Sequence, residues 1–335
     1  MNMKILKWFF IVIISVVALV LLVAAFAPKN RVFTQSIEIN RSPRVIFNHL
    51  NSLQNWETWS PFQEADPNMT SIFSGPESGV GNRQEWKSKK NGDGALEIIE
   101  SINEHKVVFA LDFGVEDIYQ TWFTLERSPD FTTVTWVSKM DNLSYPMGRL
   151  MMTIFKSQME KTFQKGMENL KRIVEEQPAD CIVGDIEVVN YPPRKIVAIQ
   201  SIANSEQIVS FLNQSFNDIS KIIDGGKLTV IGSPLAIYEG DETTIEWGVT
   251  AAIPVNKSPN KLPEGMKFIE LDATKAVCVI HTGSYQTASD SYYKLLDYIT
   301  ANELEISGNS WEEYLSPVSN EDPMQIQTKI CFPVK

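Results

Sequence analysis

From Trp8 to Pro28 the chain carries no charged side chain, and the stretch from Phe9 to Ala27 is almost wholly apolar. At 1.5 Å per residue, about 20 such residues cross a hydrocarbon layer of roughly 30 Å. The run therefore reads as a transmembrane helix, with residues 1–29 as an anchor. A cleaved signal peptide is the competing reading, and Ala25-Phe26-Ala27 would supply its small-x-small site. Signal peptides usually carry a shorter apolar region, about 7–15 residues. Lys4 and Lys7 precede the run and Lys29 and Arg31 follow it, so flanking charge says little about orientation. A single N-terminal segment with a short basic tail most simply places the remainder outside the cytoplasm, as a single-pass membrane protein.

Beyond the anchor the periodicity changes. Val32 to Ile39 alternates as a strand does, with Phe33, Gln35, Ile37 and Ile39 on one side. Ser42-Pro43 is a helix start, followed by Val45, Ile46, His49 and Leu50 on one helical face. Strand-like runs follow at Gln84–Lys89, Ala95–Ile102, Lys106–Phe113, Tyr119–Glu126 and Thr132–Met140, with Asn91-Gly92-Asp93-Gly94 as a hairpin turn. Met147, Met151, Phe155, Met159, Phe163, Met167, Leu170 and Val174 then recur at steps of three or four, which predicts one long amphipathic helix. The polar, Pro-containing stretch Glu175–Asp180 suits a domain boundary, giving modules at 32–176 and 180–335.

The second module contains a weak internal repeat. Its first copy has a strand at Arg194–Ser201, a helix from Ser205 to about Ile223, the segment Ser233–Tyr238, and a strand at Thr243–Ala252 closing on Pro254-Val255. The second copy has a strand at Lys275–His281, a helix from about Tyr285 to Ala301, the segment Trp311–Leu315, and a strand at Gln325–Phe332 closing on Pro333-Val334. Tyr238 and Tyr314 occupy the same place in the two copies. Two strand-helix-strand-strand units related by a pseudo-twofold would build one antiparallel sheet, with a groove where they meet. The fold class is therefore α+β: a transmembrane helix followed by two mixed helix-and-sheet domains.

Charge sharpens this division. The net charge of −11 is carried almost entirely by the second half: residues 1–177 hold 19 Lys/Arg and 20 Asp/Glu, residues 178–335 hold 11 and 21. Nucleic-acid binding draws on clustered cations, so nucleic acid is not an expected partner. An acidic domain attracts cations at long range, although acidity also serves plain solubility. Cys181, Cys278 and Cys331 are too few and too dispersed for a disulfide framework or a zinc site, and the sequence leaves open whether any two of them pair. His49, His105 and His281 form no local metal motif, and no phosphate-binding loop or nucleophile elbow occurs. No cofactor, metal or catalytic residue is expected.

Two resemblances add to this reading. Asn55-Trp56-Glu57-Thr58-Trp59-Ser60-Pro61-Phe62, Gly75-Pro76-Glu77-Ser78-Gly79-Val80-Gly81, Gln84-Glu85-Trp86, Thr133-Val134-Thr135-Trp136 and Gly166-Met167-Glu168-Asn169-Leu170-Lys171 resemble the polyketide-cyclase/START-like (SRPBCC) superfamily. The resemblance implies a helix-grip fold, with a cavity between the sheet and the long helix. Trp56, Trp59, Trp86, Trp122 and Trp136 are candidates to line it, with core packing the favoured reading for most of them. In the second module, His281-Thr282-Gly283-Ser284-Tyr285, Tyr292-Tyr293-Lys294-Leu295-Leu296-Asp297-Tyr298, Trp311-Glu312-Glu313-Tyr314-Leu315-Ser316-Pro317 and Thr328–Val334 resemble the GyrI-like small-molecule-binding domain, with Gly232–Tyr238 matching its first half. That domain also forms the effector-binding half of some transcription regulators, but no helix-turn-helix region accompanies it here.

The resemblance implies that Glu312 sits in a ligand pocket with Tyr314 beside it. Strand geometry agrees, because positions i and i+2 share a face while Trp311 and Glu313 point the other way. Tyr238, Tyr285 and Trp247 are secondary candidates. A carboxylate among aromatic rings suits a lipophilic cation. The expected function is a membrane-tethered binder of hydrophobic or amphipathic small molecules, with cations favoured by the second domain. A GyrI-like hydrolase of electrophilic molecules and a lipid-transfer or envelope factor are the alternatives.

Overall fold

The computed structural model describes residues 3–90, 92–114, 118–225, 228–240, 246–316 and 322–335. It divides into two compact units, Met1–Gln177 and Pro178–Lys335. The first unit begins with helix α1 (Met3–Phe26). Its segment Lys7–Phe26 spans 20 residues at a mean hydropathy of 3.3 and is long and apolar enough to cross a membrane. A signal sequence has the same character, so α1 is a candidate anchor.

Strand β1 (Arg31–Ile39) leads into α2 (Pro43–Leu50), α3 (Leu53–Trp56) and α4 (Pro61–Ala65). The meander β2 (Thr70–Ser74), β3 (Arg83–Lys87), β4 (Gly94–Ile102), β5 (Lys106–Asp112), β6 (Tyr119–Arg127) and β7 (Thr132–Met140) follows, then α5 (Met147–Ile154) and α6 (Lys156–Glu176). The seven strands are antiparallel in the order β1-β7-β6-β5-β4-β3-β2, and α6 packs on β1, α2 and α4. Pro43 opens α2 from an extended Ser42, a position where the missing N–H costs nothing. In the β3–β4 hairpin Gly92 takes φ +76°, which a side chain would resist, and the Trp86 indole donates to its carbonyl at 2.9 Å. Asn91, the first residue of the expected turn, lies outside the described residues.

Strand alternation sends Val134, Trp136 and Met140 of β7 and Phe123 and Leu125 of β6 inward. There they meet Trp56, Trp59, Phe109 and, from α6, Phe163. The Trp56 ring lies 4.8 Å from Trp59 and 4.9 Å from Phe109, while Trp136 lies 4.9 Å from Phe123 and 4.4 Å from Phe163. Trp56, Trp59 and Trp136 are thus core residues that fill the space between sheet and helix. Trp86 is half-buried at the core's edge. Trp122 cannot line a cavity there: Thr121 and Phe123 point inward, so the two-residue period sends Trp122 to the opposite face.

The expected single C-terminal helix is also corrected. It breaks at Phe155 (φ −92°, ψ 5°), and only α6 carries the apolar series into the core, through Phe163, Met167, Leu170 and Val174. No residue of α5 is buried, although Met152 leans on the core.

The second unit holds β8 (Cys181–Val183), β9 (Glu187–Tyr191), β10 (Arg194–Ala203), α7 (Ser205–Gly225), β11 (Leu235–Glu239) and β12 (Trp247–Pro254). It continues with β13 (Met266–Leu271), β14 (Thr274–Gly283), α8 (Ser289–Ala301), β15 (Ser310–Tyr314) and β16 (Gln327–Val334). The sheet runs β13-β10-β12-β11-β15-β16-β14-β8, with β9 also paired to β14. Thr243 to Ile245 and Pro317 lie outside the described residues.

The repeat is visible in the register. Tyr238 pairs with Val249 in one copy and Tyr314 with Thr328 in the other; Ala198 pairs with Ala252, and Cys278 with Cys331. The copies join through antiparallel β11 and β15, where Ala236 faces Glu312. With Tyr238 and Tyr314 equivalent, Ala236 is the counterpart of Glu312, so the pseudo-twofold passes through this pair. Glutamate in both copies would set two like charges directly opposite each other; alanine on one side leaves room for a single carboxylate. Helix α7 lies on β10 and β12, and α8 on β14 and β16.

Where the first copy has Ala198 and Ala252, the second has a Cys278–Cys331 disulfide, on the sheet face turned away from Glu312. Cys181 is free, and burial followed by the neighbouring Asp290 and Asp180 charges pushes its thiol up to about 11. Alkylation of unreduced protein, followed by peptide mass mapping, should modify Cys181 alone. At neutral pH that reaction should be far slower than with an ordinary exposed cysteine, because little thiolate is present. Rapid modification of two or three cysteines would contradict both assignments.

Candidate functional site

Strand β15 separates two adjacent glutamates. Glu313 faces the side of Trp311, where Arg194 meets it at 2.8 Å and the Trp311 indole donates to it at 3.0 Å. The same guanidinium lies 4.5 Å from the Tyr191 ring centre and 5.1 Å from that of Trp311. Glu313 is therefore a paired structural carboxylate.

Glu312 faces the helices and is 7% exposed. Its Oε1 accepts from the Tyr292 hydroxyl at 2.8 Å, and its Oε2 accepts from Tyr314 at 3.0 Å and Tyr238 at 3.2 Å. The Tyr238 and Tyr314 hydroxyls lie 3.1 Å apart. These two phenols, equivalent in the repeats, flank the pseudo-dyad, while Tyr292 reaches in from α8. Among the described residues Glu312 forms no ion pair. Burial pushes its carboxyl up from the ordinary range, opposed by hydrogen bonds from Tyr292, Tyr314 and Tyr238. Burial, and then the Glu312 charge, holds the Tyr238, Tyr314 and Tyr292 phenols well above their usual range, so they remain donors.

An apolar wall adjoins this cluster. Phe216 of α7 meets the Tyr314 ring edge-on at 5.6 Å, and Tyr285 meets it at 5.8 Å. Ile208, Phe211, Leu212 and Val249 belong to the same cluster, as does half-buried Trp247. The Tyr285 hydroxyl lies beside that of Thr328, and neither closes a well-formed hydrogen bond. The site thus combines one carboxylate, a fan of phenol donors, two hydroxyls with spare bonding capacity, and aromatic surface.

The structure brings Glu312, Tyr314 and Tyr238 into one hydrogen-bonded group. It places Tyr285 against Tyr314, and Trp247 within the same apolar cluster but not among the groups bonded to Glu312. Sequence reasoning passed over Tyr292 and Phe216. Tyr292 had a signal: with Leu295 and Ile299 it forms a three- and four-residue series marking the inner face of α8. His281 is fully buried, with Nδ1 2.9 Å from Ser291 Oγ and Nε2 3.0 Å from Thr287 Oγ1, which anchors the turn after β14. Asp180, Cys181 and Asp290 have ligand atoms within 4.8 Å of one another and could approach a metal ion. Their thiol remains a protonated donor to Asp290 at 3.5 Å.

Residues 31–175 match the family described as polyketide cyclase/dehydrase and lipid transport, and residues 184–335 match the GyrI-like small molecule binding domain. No match is found among curated proteins. Among solved structures, the EcmrR C-terminal domain is similar at 20% identity, covering 45% of this chain and 97% of that one, with a TM-score of 0.41. The Aha1 dimer from Colwellia psychrerythraea is similar at 17% identity, 44% and 97% coverage, and a TM-score of 0.34. A hydrolase from Listeria innocua is similar at 12% identity, 54% and 98% coverage, and a TM-score of 0.35. The chain therefore carries two domains of small-molecule-binding families in tandem, a polyketide cyclase/dehydrase and lipid transport domain followed by a GyrI-like domain, behind a candidate membrane anchor.

Proposed function

We propose that the GyrI-like domain captures lipophilic cations, with Glu312 as counter-charge and Tyr238, Tyr285, Tyr314 and Trp247 as its aromatic and polar surroundings. The observation that carries this reading is a buried carboxylate held by three phenols and paired with no cation among the described residues. Burying an unpaired charge is costly, and the cost falls when either a proton or a cation arrives. Phenols stabilise the carboxylate without neutralising it, so a cationic ligand still gains Coulombic attraction, to which the rings add cation–π contact.

The sign of the pH dependence follows. Because the Glu312 carboxyl is pushed up, the ligand-free protein retains its proton above the ordinary carboxylate range. A cation binds best to the ionised form, so affinity rises with pH through the raised pKa, and binding below it releases a proton. The stability of the ligand-free protein runs the other way. The stabilising contribution of the retained proton is complete below the unfolded pKa and is lost as pH rises through the folded one. Calorimetric titration of the full chain with a benzyltrialkylammonium ion across this range should show strengthening affinity and buffer-dependent proton release. A flat profile, or equal affinity for a neutral analogue of the same shape, would remove Glu312 from the reading.

The tether belongs to the same proposal: α1 stays uncleaved and holds both domains outside the cytoplasm. The Cys278–Cys331 disulfide supports that side, because disulfides persist in oxidising compartments. For the N-terminal domain the proposal extends to a hydrophobic or amphipathic ligand, supported by the lipid-transport description of its family. Native mass spectrometry of the detergent-solubilised chain would reveal retained lipid.

The raised carboxyl pKa also favours a second reading, hydrolysis of an electrophile with Glu312 taking a proton from water. Product mass spectra after incubation with a panel of epoxides separate the two: unchanged ligands leave binding alone.

A further inference from the structure

The apolar series that ought to make one core helix leaves three of its eight members, Met147, Met151 and Phe155, exposed, and Tyr145 and Ile154 lie beside them. Tyr145 is 49% exposed, Met147 65%, Met151 43%, Ile154 69% and Phe155 45%. On α5 positions 147, 151 and 154 form one stripe, which Phe155 extends at the helix end, so this is a continuous apolar face rather than scattered residues. Its surroundings indicate what covers it. The Tyr145 hydroxyl donates to the Leu21 carbonyl of α1 at 3.0 Å. The Leu143 N–H donates to Lys29 O at 2.8 Å, the Asn142 N–H to Asn30 Oδ1 at 3.1 Å, and Arg31 to Thr153 Oγ1 at 3.1 Å. The segment leading into α5, and α5 itself through Thr153, are therefore fastened to the end of the apolar helix and to the segment leaving it.

Leu21 lies five residues before Phe26, the last residue of α1, which at 1.5 Å per residue is about 7.5 Å along the helix from its end. Interfacial helices sit about 5–10 Å into the boundary between headgroups and acyl chains, the level where tyrosine is enriched. Charge agrees: Leu143–Lys156 contains Arg149 and Lys156 and no acidic residue, and the Arg149 guanidinium lies 5.5 Å from the Tyr145 ring centre.

We propose that Tyr145, α5 and Phe155 form a membrane-interface element that lays the N-terminal domain on the lipid surface beside the anchor. This rests on the reading of α1 as a membrane span. The break at Phe155 is what makes the element separate: α6 turns its apolar side to the domain core, and α5 turns its own to the acyl-chain boundary.

The test uses the native full chain in phosphatidylcholine/phosphatidylglycerol vesicles containing a phospholipid with a diazirine in its acyl chain. After irradiation, adducts are mapped by mass spectrometry. Residues 145–155 should carry adducts along with α1, about fivefold above the exposed face of α6. Met151→Asp with Ile154→Asp should bring 145–155 down to the α6 level while α1 stays labelled. Adducts on α1 but not on 145–155 overturn this inference and leave the anchor standing. Adducts on neither segment reject the anchor itself.

Discussion

Glu312→Gln is expected to weaken binding of a benzyltrialkylammonium ion by roughly 30- to 150-fold, about 2–3 kcal/mol, while a neutral analogue of the same shape changes little. The substitution keeps the shape of the side chain and removes its charge. It also disturbs the phenols. Three hydroxyls donate to the two carboxylate oxygens, whereas the glutamine amide has one oxygen and an NH2 group that needs acceptors. At least one of Tyr238, Tyr292 or Tyr314 must therefore turn from donor to acceptor. The variant also removes a buried charge, so the ligand-free protein should gain thermal stability at a pH above the raised carboxyl pKa and little at a pH below the ordinary carboxylate range. Titration calorimetry and melting curves at the two pH values check both halves. Equal loss of the cation and the neutral analogue would point to a collapsed site rather than a missing charge.

Trp136→Ala should destabilise the N-terminal domain by about 3–5 kcal/mol, a large share of the total stability of a domain this size. The Trp136 ring stacks on Phe123 and contacts Phe163, and its indole N–H donates to Thr121 Oγ1 at 2.7 Å. Alanine leaves a cavity that the neighbouring rings cannot close without leaving their own contacts. Trp122→Ala is the matched control. That ring lies on the opposite face of the same sheet and is partly exposed, so its loss should cost on the order of 1 kcal/mol. Urea denaturation followed by near-ultraviolet circular dichroism distinguishes the two. Similar costs would mean that Trp136 is not the packing centre.

Trp136 and Trp122 also mark where sequence reading succeeds and where it stops. Strand existence was legible at β6 and β7 because buried positions alternate there over nine residues, and at β4 and β5 because short runs rich in apolar residues stand between turn signals. The family resemblance grouped five tryptophans as candidates for one lining, although the alternation of β6 and β7 separates Trp122 from Trp136. Short strands such as β2, β8 and β9 were not legible: three to five residues carry too little periodicity, and pairing partners create them. The α5–α6 break was invisible for a different reason. An unbroken three- and four-residue spacing describes one apolar face but does not say what each half of it touches.

The candidate site divides in the same way. The alternation of β15 alone places Glu312 with Tyr314 and apart from Glu313, and the internal repeat alone aligns Tyr238 with Tyr314. The sequence by itself therefore determined the apolar N-terminal run, the α+β character of both domains, and which strand face Glu312 occupies. These follow from the local periods of helix and strand. Only the tertiary structure decided that Ala236 faces Glu312 across the pseudo-dyad, that Tyr292 completes the phenol fan, and that Cys278 pairs with Cys331 rather than Cys181. Those relations join residues 20 to 76 positions apart, and only sheet register and helix packing bring them together.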